Sequence, residues 1–181
     1  FDVTLMPVTG EVTYGRGRLG DYSTGFWSEA DRTQEVVEPG YYSVPLTRYN
    51  ILAEMTATER GGLHRYTFPA SDEAAIILDL VHGGCFDRPE DLFAEAVSDT
   101  RVVGRRHSWG WSNNQKVYFV IEFSKPFDKF EPIGENGFYY RIHFKTEEGE
   151  QIGVKVALSS TSPAGAELNF STEVKDKDFD T

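Results

Sequence analysis

The feature that most constrains the fold is the alternation of side chains between Pro39 and Phe68. In the run Asn50–Thr58, one side of the chain takes Ile51, Ala53, Met55 and Ala57. A period of two residues is the repeat of a β-strand with one buried face. Gly61-Gly62 has the backbone freedom of a tight turn, and the alternation resumes after it. The stretch therefore predicts a half-buried antiparallel hairpin that reverses at the two glycines.

Later segments repeat the same period. We predict consecutive antiparallel strands at Gln115–Ser124, Phe138–Lys145 and Gln151–Leu158, with Phe138 among the inward side chains and with loops at 126–137 and 146–150. Residues 74–82 form a nearly continuous apolar run, which is typical of a strand covered on both faces.

The remaining segments complete an all-β fold. We predict a strand at 1–7, a glycine-rich loop or bulged hairpin at 10–20 and an irregular connection at 21–38. Residues 89–97 have the composition of a short helix, but the turn residues at 98–100 favour a hairpin. Ser162 and Pro163 suit the N-cap and first position of about two helical turns. Together these predict one antiparallel β-sandwich domain over residues 1–181, with at most one or two short helices.

Composition and charge exclude several classes of protein. The chain has 18 Lys and Arg against 29 Asp and Glu, a net charge of -11, so a surface for nucleic acid is not expected. Its single cysteine, Cys85, excludes an internal disulfide and a zinc site with several Cys ligands. No apolar run reaches the length of a transmembrane helix. Because the chain starts without Met or a leader, we expect a mature, trimmed or domain-sized piece of a longer protein.

Several blocks of sequence, in a constant order, resemble one family. They are PGYYSV, AEMTATER and GLHRYTFP within residues 39–69, ILDLVHG at 77–83, VVGRRHSWGW and NQKVYFVIEFSKPF within 102–127, and VKVALSSTSPAGAELN at 154–169. The chain is similar over most of its length to the amino-terminal domain of glycoside hydrolase family 92, whose members are calcium-dependent exo-acting α-mannosidases.

This resemblance implies a galactose-mutarotase-like supersandwich that packs on a larger helical catalytic domain. In the family that domain carries the general acid, the general base and most calcium ligands, so we assign no catalytic or metal-binding residue here and expect calcium only in the intact enzyme. The implied reaction is the inverting hydrolysis of terminal α-linked mannose in glycans, in α-1,2-mannosidase fashion, by an exported periplasmic or cell-surface protein. Members have a longer amino-terminal stretch in the same sandwich, so an incomplete fold with an exposed edge is left open.

The best candidate for sugar binding is the segment 105–111, between two predicted strands. Aromatic rings stack on the apolar faces of sugars while Arg, His and Ser reach hydroxyl groups. The candidate residues are Arg106, His107, Ser108, Trp109 and Trp111. In the alternative interpretation the tryptophans close the end of the core and the arginines pair with acidic side chains. By resemblance we add Glu35, which matches a Glu that the family places four residues before the Pro of PGYY.

Other polar residues have both structural and functional interpretations. His64, Arg65 and Tyr66 form a second polar-aromatic group, and Asp79 interrupts an apolar strand, where it either accepts backbone hydrogen bonds or lines a pocket at the sheet rim. His82, His107 and His143 are too far apart in sequence to define a metal site. Two other functions are left open: a free-standing carbohydrate-binding or adhesion sandwich, and a scaffold domain that only docks a partner. We expect the isolated chain to bind mannose weakly or not at all.

Overall fold

A computed structural model describes residues 2–84, 86–135 and 137–180. Within these residues the fold is almost entirely β-structure. The strands are β1 Thr4–Thr9, β2 Val36–Glu38, β3 Tyr41–Leu46, β4 Ile51–Ala57, β5 Gly61–Phe68, β6 Ser71–Asp79, β7 Arg88–Ala96, β8 Arg101–Trp109, β9 Gln115–Phe123, β10 Lys129–Ile133, β11 Tyr139–Thr146 and β12 Glu150–Ser159. The helix α1 Pro163–Asn169 and a π-helical segment Phe170–Val174 follow.

The described strands form two antiparallel sheets. One has four strands in the order β1-β6-β11-β10, and the other has eight in the order β2-β3-β4-β5-β12-β9-β8-β7. Residues paired directly across antiparallel strands share a face, so alternate side chains of both sheets meet in one core. Tyr66, Phe119, Ile121, Phe144 and Ile152 are among its buried members. The prediction of an all-β antiparallel sandwich is confirmed.

The outer face of the four-stranded sheet is covered by the connection at residues 10–35. Phe26 in this connection packs edge-on against Tyr139 of β11, with ring centroids 5.9 Å apart. The Arg141 Nη2 donates a hydrogen bond to the carbonyl oxygen of Gly10 at 2.7 Å. Ala75 and Ile77, whose side chains point to this outer face, are completely buried. The prediction of a strand covered on both faces is therefore confirmed for residues 74–79, whereas residues 80–82 lie beyond the end of β6.

The helical segments cover part of the outer face of the eight-stranded sheet. Ser162 caps α1 by accepting a hydrogen bond from the backbone N–H of Gly165 at 3.0 Å, and Pro163 occupies the first turn. A second hydrophobic cluster forms beneath them, made of Leu63, Val120, Ala157, Ala166, Phe170 and Val174. The predicted short helix is confirmed, and the π-helical segment extends it.

The hairpin turn lies two residues earlier than predicted. Ala57 of β4 pairs with Gly62 of β5, and the Thr58 N–H donates to the Gly61 carbonyl, so Glu59 and Arg60 make the reversal. Both glycines belong to β5 instead. A Cβ built on Gly61 would lie 2.4 Å from Cγ1 of Val174, so this glycine is needed for the close approach of the π-helical segment rather than for a turn.

Four further expectations were wrong in detail. The predicted loop 126–137 contains β10, because Pro132 is tolerated in a strand at the edge of a sheet. The predicted irregular connection 21–38 contains the short edge strand β2. The strands β9, β11 and β12 are not neighbours in one sheet, since β12 pairs with β9 while β11 crosses to the other sheet. Phe138 precedes β11 and is exposed instead of inward.

Candidate functional site

The β7–β8 hairpin places the residues of the predicted sugar-binding segment on opposite faces of the eight-stranded sheet. Arg106 pairs with Leu92 of β7 and with Val117 of β9, and its side chain points between the two sheets. Arg105 and His107 point to the outer face, where they lie beside Tyr118 and Asp91. Strand alternation therefore separates residues that are adjacent in the sequence.

Arg106 lies in a completely buried ion pair. Its Nη1 donates to Oδ2 of Asp87 at 2.6 Å and its Nη2 donates to Oδ1 of Asp87 at 3.2 Å. The Nε donates to the Leu80 carbonyl at 2.8 Å, and Nη1 also reaches Oδ1 of Asp2 at 3.1 Å. The guanidinium lowers the pKa of the Asp87 carboxyl below its usual value. A buried, forked arrangement of this kind satisfies the charge of both partners.

Two glycines allow this ion pair to form. A Cβ added to Gly83 would lie 1.8 Å from Oδ1 of Asp87 and 2.6 Å from Nη2 of Arg106. A Cβ added to Gly110 would lie 2.7 Å from both the Cα and the Cβ of Asp87. No larger residue fits at either position without displacing the backbone or the ion pair. The segments around residues 83–87 and 109–111 are therefore held against each other.

Four residues lie next to this contact in the sequence, and we call them the aromatic rim. They are Phe86 and Arg88, which flank Asp87, and Trp109 and Trp111, which flank Gly110. The Trp111 side chain is 84% exposed, Trp109 is 44% exposed and Phe86 is fully exposed. The guanidinium of Arg88 lies 4.9 Å from the Trp109 ring centroid. The rim thus offers aromatic surface and a cation to solvent.

The other candidates in this segment are less accessible. Ser108 is buried and points inward like Arg106, so both have structural positions and present no contact surface to a soluble ligand. His107 is partly buried, packs edge-on to Tyr118 at 5.4 Å and lies 3.5 Å from Asp91 through its Nδ1. Arg105 pairs with the same carboxylate at 2.7 Å and lies over Phe93. Only Trp109 and Trp111 of the five candidates are freely exposed.

Glu35 lies far from the aromatic rim. It immediately precedes β2 and accepts a hydrogen bond of 2.6 Å from the Tyr42 hydroxyl. Strand β2 is the first strand of the eight-stranded sheet whereas β8 is the seventh, so the two candidate regions occupy opposite parts of that sheet. The structure brings Trp109 and Trp111 together but does not bring Glu35 to them.

The second polar-aromatic group, His64, Arg65 and Tyr66, makes contacts within the protein. The His64 Nδ1 and the Tyr66 hydroxyl are 2.7 Å apart, and burial lowers the pKa of His64 to about 4. Arg65 makes two hydrogen bonds to Glu54, of 2.7 and 2.8 Å, and two to Asp180, each of 3.0 Å. These contacts tie β5 to its neighbour β4 and to the end of the described chain.

Asp79 also has a structural environment. It is buried at the end of β6, and its Oδ1 accepts hydrogen bonds from the backbone N–H groups of Val81 and His82 at 2.8 and 3.1 Å. Its Oδ2 lies 2.9 Å from Nδ1 of His82. The backbone-satisfied interpretation of Asp79 is therefore confirmed.

Several acidic residues that pair with a cation are held in the ionised form. Arg65 lowers the pKa of Glu54, Arg105 lowers that of Asp91, and Lys129 lowers that of Glu131. A general acid for glycoside hydrolysis needs the opposite shift.

Over residues 2–84, 86–135 and 137–180, no three His, Cys, Asp or Glu side chains converge as metal ligands would. In the same ranges no helix has the length and hydrophobicity to cross a bilayer.

The fold is that of an all-β sandwich domain, and the rim gives it an exposed aromatic surface. Residues 1–159 match the model of the glycosyl hydrolase family 92 N-terminal domain. The chain therefore belongs to this family, as its motifs predicted. A comparison with curated protein sequences gives no match.

Solved structures agree with this assignment. A family GH92 α-mannosidase from Bacteroides thetaiotaomicron has a TM-score of 0.90 and 29% identity, and the match covers 99% of this chain and 27% of that one. A family GH92 inverting mannosidase from Bacteroides thetaiotaomicron VPI-5482 has a TM-score of 0.73 and 23% identity, over 97% of this chain and 24% of that one, which shows the fold alone. The chain thus spans about a quarter of the length of these enzymes.

Proposed function

We propose that this chain is the amino-terminal domain of a larger α-1,2-mannosidase-like glycoside hydrolase, in which it packs on a helical catalytic domain and forms part of the substrate pocket. The observation that carries the proposal is the match to an α-mannosidase at a TM-score of 0.90, which covers nearly all of this chain but only 27% of that enzyme. The sandwich would accordingly contribute about a quarter of a two-part enzyme. The remaining part would supply the chemistry.

The assignment of catalysis to the other part is supported by three closely paired carboxylates here. Direct attack by water requires one carboxylic acid and one carboxylate about 6.5–9.5 Å apart across the sugar. Asp87, Asp91 and Glu54 are each paired with an arginine that keeps them ionised. We propose that the catalytic pair and the calcium belong to the helical domain, and that the enzyme inverts the anomeric centre and acts outside the cytoplasm, in the periplasm or at the cell surface.

The contribution of this chain to the pocket is assigned to exposed side chains. Trp109 and Trp111 project from the end of β8, and an interdomain pocket built beside them would gain aromatic walls. Glu35 lies too far along the sheet to share that wall, so any contact it makes with substrate would be separate. Mannose-containing glycans are the proposed ligands.

The test uses a polypeptide that contains this chain and the family's helical domain. We expect it to release mannose from α-1,2-mannobiose, with β-mannose as the first product in a proton NMR time course, because inversion converts the α-linkage to the β-anomer. Chelation of calcium should abolish release and added calcium should restore it. Absence of mannose release with calcium present, or release from other glycosides only, would contradict the proposal.

A further inference from the structure

The aromatic rim is built from two segments that are fixed to each other and not from one flexible loop. The backbone of Asp87 touches Gly110 so closely that an added Cβ would meet it at 2.7 Å. Because Phe86 and Arg88 flank Asp87, and Trp109 and Trp111 flank Gly110, this one contact places the backbones of all four residues close together. The sequence separates the two pairs by more than 20 residues.

The fixed contact depends on the ion pair beneath it. The Arg106 guanidinium is completely buried and grips both carboxylate oxygens of Asp87, while its Nε binds the Leu80 carbonyl at the end of the preceding strand. The carboxylate of Asp87 is therefore held by Arg106, and its backbone packs against Gly110. The backbone that carries the rim residues is thus fixed before any ligand arrives, which lowers the entropic cost of binding.

Phe86 and Arg88 are the two members of the rim that sequence patterns did not identify, and Phe86 is the more unusual of the two. Its backbone has φ +52°, a left-handed conformation that non-glycine residues adopt at a cost, and its ring is fully exposed. A large apolar residue in a strained, solvent-exposed position gains nothing for folding. Strain of this kind persists where the neighbouring structure fixes it, and here the next residue is Asp87.

We propose that Phe86 and Trp111 bind the apolar face of a hexopyranoside ring, with Trp109 as a supporting wall, and that the Asp87–Arg106 ion pair is the positioning element of this site. The Arg88 guanidinium already covers the Trp109 ring, which leaves Phe86 and Trp111 as the free faces. Carbon-bound hydrogens on one face of a pyranoside suit an aromatic face, and Arg88 can donate hydrogen bonds to its hydroxyl groups. The choice of a mannoside as ligand rests on the proposed function.

The ligand arm of the test uses the 181-residue chain and methyl α-D-mannopyranoside at millimolar concentration, observed by saturation-transfer NMR. Methyl α-D-glucopyranoside serves as the comparison sugar. We expect weak binding of the mannoside, with a dissociation constant above about 1 mM, and binding about 2- to 10-fold weaker in Phe86→Ala and in Trp111→Ala. Trp111→Phe should retain most of the affinity. No saturation transfer to either sugar, or signals that both alanine variants leave intact, would overturn the site.

The positioning arm uses the fluorine NMR signals of the three tryptophans in protein labelled with 5-fluorotryptophan. Asp87→Asn should shift or broaden the signals of Trp109 and Trp111, leave that of Trp27 in place, and weaken mannoside binding. Asp91→Asn is the matched control, because it breaks an exposed Arg–Asp pair on the same two strands and should change neither readout. If Asp87→Asn does not fold, Gly110→Ala separates the two segments while keeping both charges, and the same changes are expected. Unchanged tryptophan signals in the folded variant would overturn the positioning role.

These spectra are independent of catalysis. Failure of the proposed function would appear as absence of mannose release by the longer polypeptide, whereas failure of the rim would appear only in ligand binding and in the fluorine spectra. Binding of the glucoside with equal strength would support a hexopyranoside site and would count against the mannoside assignment alone.

Discussion

Arg105 and Arg106 are consecutive in the sequence, each pairs with an aspartate from the β7 side of the hairpin, and yet they lie in opposite environments. Arg106 points between the sheets, where its side chain is completely buried with Asp87. Arg105 points outward, where its side chain is 38% exposed and that of Asp91 is 45% exposed. The two pairs have similar geometry, with shortest distances of 2.6 and 2.7 Å.

Burial, and not geometry, decides how much each of these ion pairs contributes to stability. Water screens the outer pair and compensates either partner when the other is lost, so this pair adds little stability. The inner pair has no water to replace a missing partner, and it holds two loop segments in register. The same strand pair therefore has one face that fixes structure and another that can vary freely.

The largest expected effect comes from removal of the inner cation. Arg106→Met should lower the free energy of unfolding by about 3–5 kcal/mol, because Asp87 and the Leu80 carbonyl are left without their donor. Chemical denaturation followed by circular dichroism measures it. Arg105→Met is the control and should cost no more than about 1 kcal/mol. Equal losses of unfolding free energy in the two variants would contradict the different roles of the buried and the exposed pair.

His64 gives the next effect, since it also points between the sheets. Burial lowers its pKa from 6.5 to about 4 in the folded chain. As the pH falls from 6.5 to 4, His64 takes up a proton in the unfolded chain before it does so in the folded chain. The contribution of His64 to the free energy of unfolding is therefore fully present above pH 6.5, and about 3 kcal/mol of it is lost by pH 4.

The measurement is the free energy of unfolding from pH 7 to 4.5. Over this range most of the loss due to His64 occurs, and the arginine-paired carboxylates Glu54 and Asp87, whose pKa values are lowered, stay largely ionised in the folded chain. His64→Gln should flatten the profile relative to the parent chain. Parallel profiles for the two proteins would mean that the imidazole is not desolvated.

A smaller effect on stability is expected where the helical segments cover the outer face of the eight-stranded sheet. Gly61→Ala should cost about 1–3 kcal/mol, because the new Cβ would meet Val174 at 2.4 Å. Gly153→Ala is the matched control on the same face, since its Cβ would meet only Ser124 at 3.5 Å, an ordinary contact. Thermal unfolding of the two variants distinguishes them. A neutral Gly61→Ala would mean that the π-helical segment is not packed on β5.

The smallest effect is expected at the aromatic rim itself. Trp111→Ala should change the free energy of unfolding by no more than about 0.5 kcal/mol, because the 84% exposed ring makes few contacts to lose. Urea denaturation monitored by circular dichroism measures it. A loss above about 2 kcal/mol would show that Trp111 closes the end of the core, which was the alternative interpretation of its sequence.

The sheet and its faces were predictable where a local pattern carried the information. The alternation in 115–124 predicted β9 correctly, and the alternate residues Phe119, Ile121 and Phe123 of that strand are buried in the core. The turn was misplaced because Gly61 has the residue type of a turn but is needed for contact with Val174, more than 100 residues away. Strand β10 was missed since Pro132 reads locally as a breaker, and only its edge position makes it tolerable.

The site was predictable only in part for a related reason. The residue types at 105–111 predicted an aromatic binding segment, and Trp109 and Trp111 are indeed exposed. The pairing of Arg106 with Asp87 and the neighbourhood of Phe86 depend on long-range contacts that no spacing reveals. A consistent inward parity with Val102 and Gly104 would have predicted that Arg106 points into the core.

We propose that this sandwich is the non-catalytic part of a larger mannosidase. The most direct measurement incubates the purified 181-residue chain, and separately a polypeptide that also contains the helical domain, with α-1,2-mannobiose and calcium, and quantifies free mannose. We expect release of mannose by the longer polypeptide and none above background by the 181 residues. Mannose released by the 181 residues alone would contradict it.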